Sequence, residues 1–444
     1  MGKFALITKL GLKDAGISLD NVSYVQTAEI KILANRDKKE VKLDQLFMEF
    51  RRLKLQPSEL AMDLLIIACS MYAADTRIDR LKTADDSWTR EIELFIPVSD
   101  PVIWNAQKER LKKIFRFLTG DIWDIQFRSR TELAEIAPKT NRKKYGMPYE
   151  TDTVCLFSGG MDSFIGAINL MSQGVQPLLL GHAKSSDVSP NQKLCEAALR
   201  QAFPDVPLKR IYAFVRVPKK NMFDADEKTE RGRSFLFLTL GGICASALST
   251  NSRLIVPENG LISLNLPLTP LRIGSHSTRT THPHYLNLMQ DLFNDLQLGV
   301  VISNPYQFKT KGEMLSECAN SNLVQSTKTM SCSHPSGRFQ KLGNGHCGYC
   351  VPCIIRQAAF KKANIEEIKD YRTDIFDNEQ LNTATKKDNI IAFNYLLEKT
   401  KRKPEFLKSL IRVTGPLGNN VQDFIDTYKR GLIEVESLLS TVTL

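Results

Sequence analysis

Between residues 153 and 303, short apolar runs alternate with helix-length amphipathic segments, and this alternation restricts the fold more than any other feature. Residues 153–157, 175–181, 211–217, 254–257 and 300–303 read as strands. Residues 163–173, 189–203, 234–249 and 284–296 read as helices, the second opened by Ser189 as N-cap and Pro190 as first helical residue. Strands alternating with helices at this spacing predict an α/β fold: an open, mostly parallel sheet of five or more strands with helices on both faces. Ligands of such sheets sit beyond the carboxyl ends of the strands. The first strand runs into Phe157-Ser158-Gly159-Gly160-Met161-Asp162-Ser163 at such a position.

That string has neither the Gly-x-x-x-x-Gly-Lys of a Walker A loop nor the Gly-x-Gly-x-x-Gly of a dinucleotide fingerprint. It offers adjacent glycines at a strand-to-helix turn, where backbone amides can approach and cradle an oxyanion. Ser158 and Ser163 add hydroxyl donors, and Asp162 could hold Mg²⁺ or orient the loop. The plainer reading is a tight turn with Asp162 or Ser163 capping the helix. Other polar residues fall near the same sheet edge. Lys184 follows the second strand, and Arg231, Arg233 and Ser234 open the long apolar helix. The pair Glu258-Asn259, turned by Gly260, could read a base edge or a ribose, and Lys311 could neutralise phosphate; each also reads as ordinary surface. His276, His282 and His284, with Arg272 and Arg279, suggest a loop over the site, at a spacing that carries no metal-ligand signature.

Cysteine usage is uneven. Cys69, Cys155, Cys195, Cys244 and Cys318 stand alone in apolar or helical text and read as small buried hydrophobes, whereas Cys332, Cys347, Cys350 and Cys353 cluster. Thiols at three-residue steps can be aimed at one ion by a tight turn, and Cys332 arrives from a separate loop to close a tetrahedron. Four thiolates suit a closed structural zinc site. An iron–sulfur cluster and a redox pair are the competing readings. His334 and His346 are reserve ligands. The odd total of nine cysteines and the absence of a signal-peptide pattern point to a reducing, cytoplasmic setting.

With 42% hydrophobic and 25% charged residues, the chain has material for a sizeable core, which excludes a disordered or collagen-like protein. No apolar run is long enough to cross a membrane. The net charge of +11 is diffuse, with short clusters at Arg142-Lys143-Lys144 and Lys401-Arg402-Lys403 that do not extend into a stripe, so nucleic acid is not an expected partner. Residues 1–145 read as an α+β accessory domain without a histidine, with strands at 4–12, 24–33 and 91–97 and helical text at 42–73 and 103–118. Residues 131–149 read as a linker, 146–362 as the sheet domain with its cysteine site, and 363–444 as a helical region.

The string Ser158-Gly159-Gly160-Met161-Asp162-Ser163 resembles the SGGxDS loop of the PP-loop, or N-type, ATP pyrophosphatases. Cys347-Gly348-x-Cys350-x-x-Cys353-x-x-Arg356-x-x-Ala359-Phe360 is similar to the zinc-binding tail of the QueC-like 7-cyano-7-deazaguanine synthase branch. The resemblance spans roughly 150–362. It implies an adenine nucleotide alpha hydrolase-like fold, with ATP, Mg²⁺ and Zn²⁺ as cofactors and cleavage of ATP between its α and β phosphates. Residues 157–160, 162, 163 and 258–260 would bind the nucleotide. Ser158, Asp162, Ser163, Lys184, Arg233 and Lys311 would serve the reaction, and the four clustered cysteines would hold zinc. The carboxylate of 7-carboxy-7-deazaguanine would be adenylated and then attacked by an amine.

Departures from the compact enzyme are the longer Cys332–Cys347 separation, Glu258-Asn259-Gly260 in place of a Gly-x-Asn stretch, and the added flanks. A long QueC-like chain with extra N-terminal sequence looks like the QatC component of the Qat anti-phage system. That resemblance implies a protein partner from the same defence operon as the amine acceptor. Conventional nitrile synthesis from ammonia, tRNA modification and an inactive scaffold are the alternatives.

Overall fold

The computed structural model describes all residues except 1, 20–22, 35–38, 85, 87, 131–148, 183–187, 219–222, 224–226, 228, 269–278, 335–344, 369–370 and 443–444. Most of the linker at 131–149, the cluster at 142–144, Lys184, Arg272 and His276 lie outside the described residues. The N-terminal sheet contains Lys3–Leu10 (β1), Gln26–Ile32 (β2), Glu91–Val98 (β3) and Ile122–Ser129 (β4) in the order β2-β1-β3-β4. Every neighbouring pair is parallel, so the expected mixture of helices and strands takes a crossover form. Its helices are Asp44–Leu53 (α1), Glu59–Arg77 (α2) and Pro101–Thr119 (α3). Pro57 lies in the break between α1 and α2, and Ser58 caps α2 by accepting from the Ala61 amide at 3.2 Å. Asp100 caps α3, which opens with Pro101 and closes on Gly120 in the left-handed region.

Helix α2 is buried on all sides through residues 61–76, as a helix sandwiched between two layers must be. Its acidic residues are satisfied from neighbouring elements. Asp63 accepts from the Trp104 indole at 2.9 Å and from Arg130 at 2.7 Å. Asp75 pairs with Arg90 at 2.8 Å and accepts the Gly232 amide at 2.7 Å. Arg90 also pairs with Asp121 at 2.7 Å, so a buried ion network ties α2 to the residues that open β3 and β4 and, through Gly232, to the residue before Arg233.

The second sheet contains Thr153–Leu156 (β5), Leu178–His182 (β6), Lys209–Ala213 (β7), Ser252–Ile255 (β8) and Val300–Ser303 (β9). Its order is β7-β6-β5-β8-β9, and all pairs are parallel. Met161–Ser172 (α4), Val188–Ala202 (α5), Arg233–Ser246 (α6), Gly260–Leu264 (α7), Pro283–Asp295 (α8) and Lys311–Ser316 (α9) follow its strands. Strand order reverses between β5 and β8, so the segments leaving these strands flank the switch point where open α/β sheets bind ligands. Helix α6 packs on α2, and one apolar core runs through both sheets. A second apolar cluster joins the cysteines and Val351–Ala363 (α10) to the C-terminal helices Ala384–Arg402 (α11), Glu405–Val413 (α12) and Val421–Leu439 (α13). Among the described residues, no helix is long and apolar enough to cross a membrane.

Candidate functional site

The loop after β5 is shaped by its glycines. The Phe157 amide donates to Leu180 O at 2.7 Å, after which the chain turns through Gly159 with φ at +78°. A Cβ on Gly159 would stand 2.9 Å from the backbone nitrogen of Gln192, so the position requires glycine on two counts. Gly160 is the N-cap of α4 and no side chain caps that helix, which leaves its first amides facing outward from the turn. Ser158 Oγ accepts from the Gly160 amide at 3.2 Å and lies 3.2 Å from Ser163 Oγ. Ser163 in turn donates to Gly160 O at 3.0 Å. The turn is therefore internally braced, with Ser158 exposed. Outside braces are Gln192, which donates to Phe157 O at 3.1 Å, and the Met330 amide, which donates to Gly159 O at 2.9 Å.

Asp162 does not cap α4. It turns across the switch point to a buried group of polar side chains. Its Oδ2 accepts from Asn259 Nδ2 at 2.6 Å, and Lys311 Nζ sits 2.5 Å from Oδ1. Burial alone would raise the Asp162 carboxyl; the Lys311 ammonium and hydrogen bonds from Glu258, Lys311 and Asn259 outweigh it and hold the group at about 2. Glu258 moves the other way, raised by burial and then by the neighbouring Asp162 charge. Two carboxyl groups and the Lys311 ammonium thus form one buried polar group beside an oxyanion-shaped turn. These are hard oxygen ligands of the kind that hold Mg²⁺ together with a phosphate. Asn259 also accepts from the Leu261 and Ile262 amides at 3.1 Å each, so its amide is engaged within the protein rather than turned out toward a base. The Gly260 amide donates to Lys309 O at 2.9 Å.

Lys311 reaches Asp162 because the C-terminal helix α13 grips the segment that carries it. Thr427 and Arg430 donate to Phe308 O at 3.1 and 2.8 Å, and Arg430 pairs with Glu313 at 2.6 Å. Glu434 accepts from the Thr310 hydroxyl and, at 3.3 Å, from the Gly312 amide. Burial lifts the Glu434 carboxyl to about 7; the Thr310 and Gly312 hydrogen bonds and Lys362 pull against this, while Glu313 adds to it. A carboxyl raised from 4.5 to about 7 on folding destabilises the fold progressively as pH rises through that interval, by about 3 kcal/mol at most. Glu434→Gln should remove this slope. Relative to the parent, its melting temperature should climb between about pH 4.5 and 7 and level off above. A pH-independent offset reflects the lost Gly312 bond. Parallel melting-temperature curves for the two proteins would refute the assignment.

The four clustered cysteines converge as the spacing predicts. Their sulfurs all lie within 4.8 Å of one another, with Cys332–Cys350 at 3.9 Å and Cys347–Cys353 at 4.0 Å. A tetrahedral zinc with Zn–S near ~2.3 Å sets its sulfurs about 3.8 Å apart, so the cluster fits that ion. Cys350 is the N-cap of α10 and Cys353 lies in its first turn. Gly348 makes the turn before them at φ +93°, where a Cβ would strike Thr373 O at 2.1 Å. Cys332 Sγ accepts the His334 and Cys347 amides at 3.2 and 3.3 Å, bonds that favour a thiolate. His346 accepts from the Ser331 amide at 3.2 Å. Arg356, on α10, donates to Thr329 Oγ1 at 2.6 Å. Residues 329–332 thus run from the cysteine module to the 158–163 turn, where Met330 meets Gly159.

Other residues singled out in the sequence are placed elsewhere. Arg233 donates to His182 Nδ1 and His182 O, each at 3.3 Å, at the end of β6. Arg231 turns to the N-terminal layer, donating to Thr119 O at 3.0 Å. His282 is a buried helix cap whose Nε2 lies 3.1 Å from Thr414 Oγ1, and burial followed by the Arg279 charge lowers it to about 3. The lone cysteines Cys69, Cys155, Cys195, Cys244 and Cys318 are all buried. Gln192, Met330 and Glu434 carry no motif and Thr310 reads only as the N-cap of a Thr-x-x-Glu capping box, so long-range contacts alone connect them to the site.

Fold and site together define an α/β protein with a phosphate-shaped turn at its topological switch point and a four-cysteine module braced against it. Residues 280–364 match the family model described as Queuosine biosynthesis protein QueC. That segment contains Lys311 and the four cysteines, so the similarity to QueC falls on the cysteine module and on the residue that meets Asp162. No curated protein matches the chain.

Proposed function

We propose that this chain activates the carboxylate of 7-carboxy-7-deazaguanine, or a close analogue, with ATP and transfers the acyl group to an amine. The observation that carries the reading is the convergence of the 158–163 turn with Asp162, Glu258 and Lys311 across the switch point. In this reading the open amides of α4, Ser158 and Ser163 receive the departing pyrophosphate. Asp162 and Glu258 would hold Mg²⁺, which supplies charge neutralisation when bound, and Lys311 adds a fixed cation. Arg233, at the end of β6, is assigned to the ATP phosphates, and Lys184, which follows β6 in the sequence, is given the same role. A carboxylate oxygen of the base attacks the α-phosphorus, the α–β bridging bond breaks, and pyrophosphate leaves. The amine then attacks the acyl carbon, AMP departs, and the amine loses a proton.

The amine is assigned to a protein partner in anti-phage defence, as in the resemblance to QatC. The added N- and C-terminal regions favour this over free ammonia. The QueC match favours the conventional nitrile route as the second reading. Intact mass spectrometry after incubation with ATP, Mg²⁺, 7-carboxy-7-deazaguanine and the neighbouring operon proteins separates the two. A partner that gains one deazaguanine acyl group, with AMP formed, supports the ligase. Free nitrile with unchanged partners returns the chain to synthase chemistry, and absence of AMP rejects both.

A further inference from the structure

A second concave site lies away from the phosphate-binding turn, between the last turns of α3 and the first turn of α8. It is a cleft of about 550 Å³, and Trp88, Lys113, Arg116, Phe117, Arg279 and His284 contribute to its wall. Among the described residues, every charged side chain lining it is basic. The contrast along α3 is informative. Lys108 pairs with Asp124 at 2.9 Å, Lys112 with Glu109 at 2.8 Å, and Arg110 with Asp295. Lys113 and Arg116, the two that line the cleft, are exposed and make no ion pair among the described residues.

The opposite wall is held rigid without a carboxylate. Arg279 donates to Phe117 O at 2.9 Å and stacks on the Phe117 ring at 4.5 Å. Behind the cleft, Arg231 stacks on Trp88 at 4.2 Å. Burial and then the Arg279 charge push His284 down, as expected in an uncompensated positive field. The carbonyl end of α3 attracts cations and accounts for part of this. It does not account for Lys113, nor for the exclusion of acids from a concave wall, where like charges repel more strongly than on open surface.

We propose that this cleft binds a phosphate ester of nucleotide size. The phosphate would sit among Lys113, Arg116 and Arg279, and the ring system would lie toward Trp88. The volume is that of a small-ligand pocket. The paired cations farther along α3 end the positive surface, so a single nucleotide fits better than a strand, which needs a continuing basic track. The proposal is independent of the chemistry assigned to the 158–163 turn.

The chain has three tryptophans, of which Trp104 and Trp123 are buried and Trp88 is half-buried at the cleft, so intrinsic fluorescence reports this site. Guanosine monophosphate should quench the parent protein and the Asp162→Asn variant alike. Trp88→Phe should abolish the signal while equilibrium dialysis still detects binding. The double variant Lys113→Glu, Arg116→Glu changes only exposed side chains, and it should bind at least about 10-fold more weakly at an unchanged melting temperature. No binding at millimolar nucleotide, or binding unaffected by the charge reversal, overturns the proposal. So does retention of inorganic phosphate alone, or of a single-stranded oligonucleotide in preference to the nucleotide.

Discussion

Lys311→Met and Asp162→Asn will each lower AMP formation by about 1,000-fold, the scale of losing a preorganised electrostatic partner at a reacting phosphate. Their stabilities will diverge from their activities. The pair is buried, with 6% and 7% of the two side chains exposed and 2.5 Å between the charged atoms. Removing one member leaves the other as an unmatched buried charge, which costs about 3–5 kcal/mol, whereas removing both leaves an apolar group beside an amide. The double variant Asp162→Asn, Lys311→Met should therefore be more stable than either single variant and just as inactive. Asn259 can still donate to the new amide oxygen, so the turn into α7 survives.

The acid limb separates the singles further. A carboxyl held at about 2 contributes stability that is present above its unfolded value of 3.8 and is lost as pH falls through that interval. Without Lys311, burial is opposed only by the hydrogen bonds from Glu258 and Asn259, so Asp162 moves upward and acid unfolding begins at higher pH. Denaturant titration and AMP release across pH test both claims. Additive destabilisation in the double variant, or retained AMP release in Lys311→Met, would contradict the role given to the pair.

Residues whose meaning is local were legible in the sequence. The 158–163 turn needs two glycines, a strand before it and a helix after it, all within a few residues. The cysteines declare themselves by spacing, and the five strands of the second sheet follow from apolar runs covered on both faces. What sequence text withheld is long-range. Lys311 reads in the sequence either as a cation for phosphate or as a solvated helix end, and only the fold brings it to Asp162, with the register of α9 set by α13. Glu434 is one acid among several on an amphipathic helix; its partners Thr310 and Gly312 lie far away in the chain. Strand β4 is not legible because its polar alternate residues Asp124 and Gln126 suit an edge strand and dilute the apolar signal. The parallel order of the N-terminal sheet was equally hidden, since it depends on α2 crossing over the sheet and being covered by α6. The contacts of Asn259 with Asp162, Leu261 and Ile262 are of the same kind, a side chain whose partners only the fold supplies.

Cys347→Ser should abolish zinc binding by the four-cysteine module and loosen the 158–163 turn from a distance. An ion that binds the folded module and not the unfolded chain stabilises by mass action, about 4 kcal/mol when free metal is 1,000-fold above its dissociation constant. At roughly 2–4 °C per kcal/mol, the expected fall in melting temperature is about 10 °C. The route to activity is explicit. Cys332 anchors the end of 329–332, Arg356 on the cysteine helix holds Thr329, and Met330 donates to Gly159 O. Losing the ion frees both ends of this strap, so Gly159 loses an outside brace and AMP formation should fall by at least about 10-fold, the effect of misplacing a reacting group by a fraction of an ångström. Cys318→Ser alters a buried cysteine outside the module and should retain the ion. Metal analysis of the parent should find one zinc per chain, lost in Cys347→Ser and kept in Cys318→Ser. Iron with visible cluster absorption would replace zinc by an iron–sulfur centre. A metal-free parent with full AMP formation would remove the strap from the mechanism and leave the cysteines as packing alone.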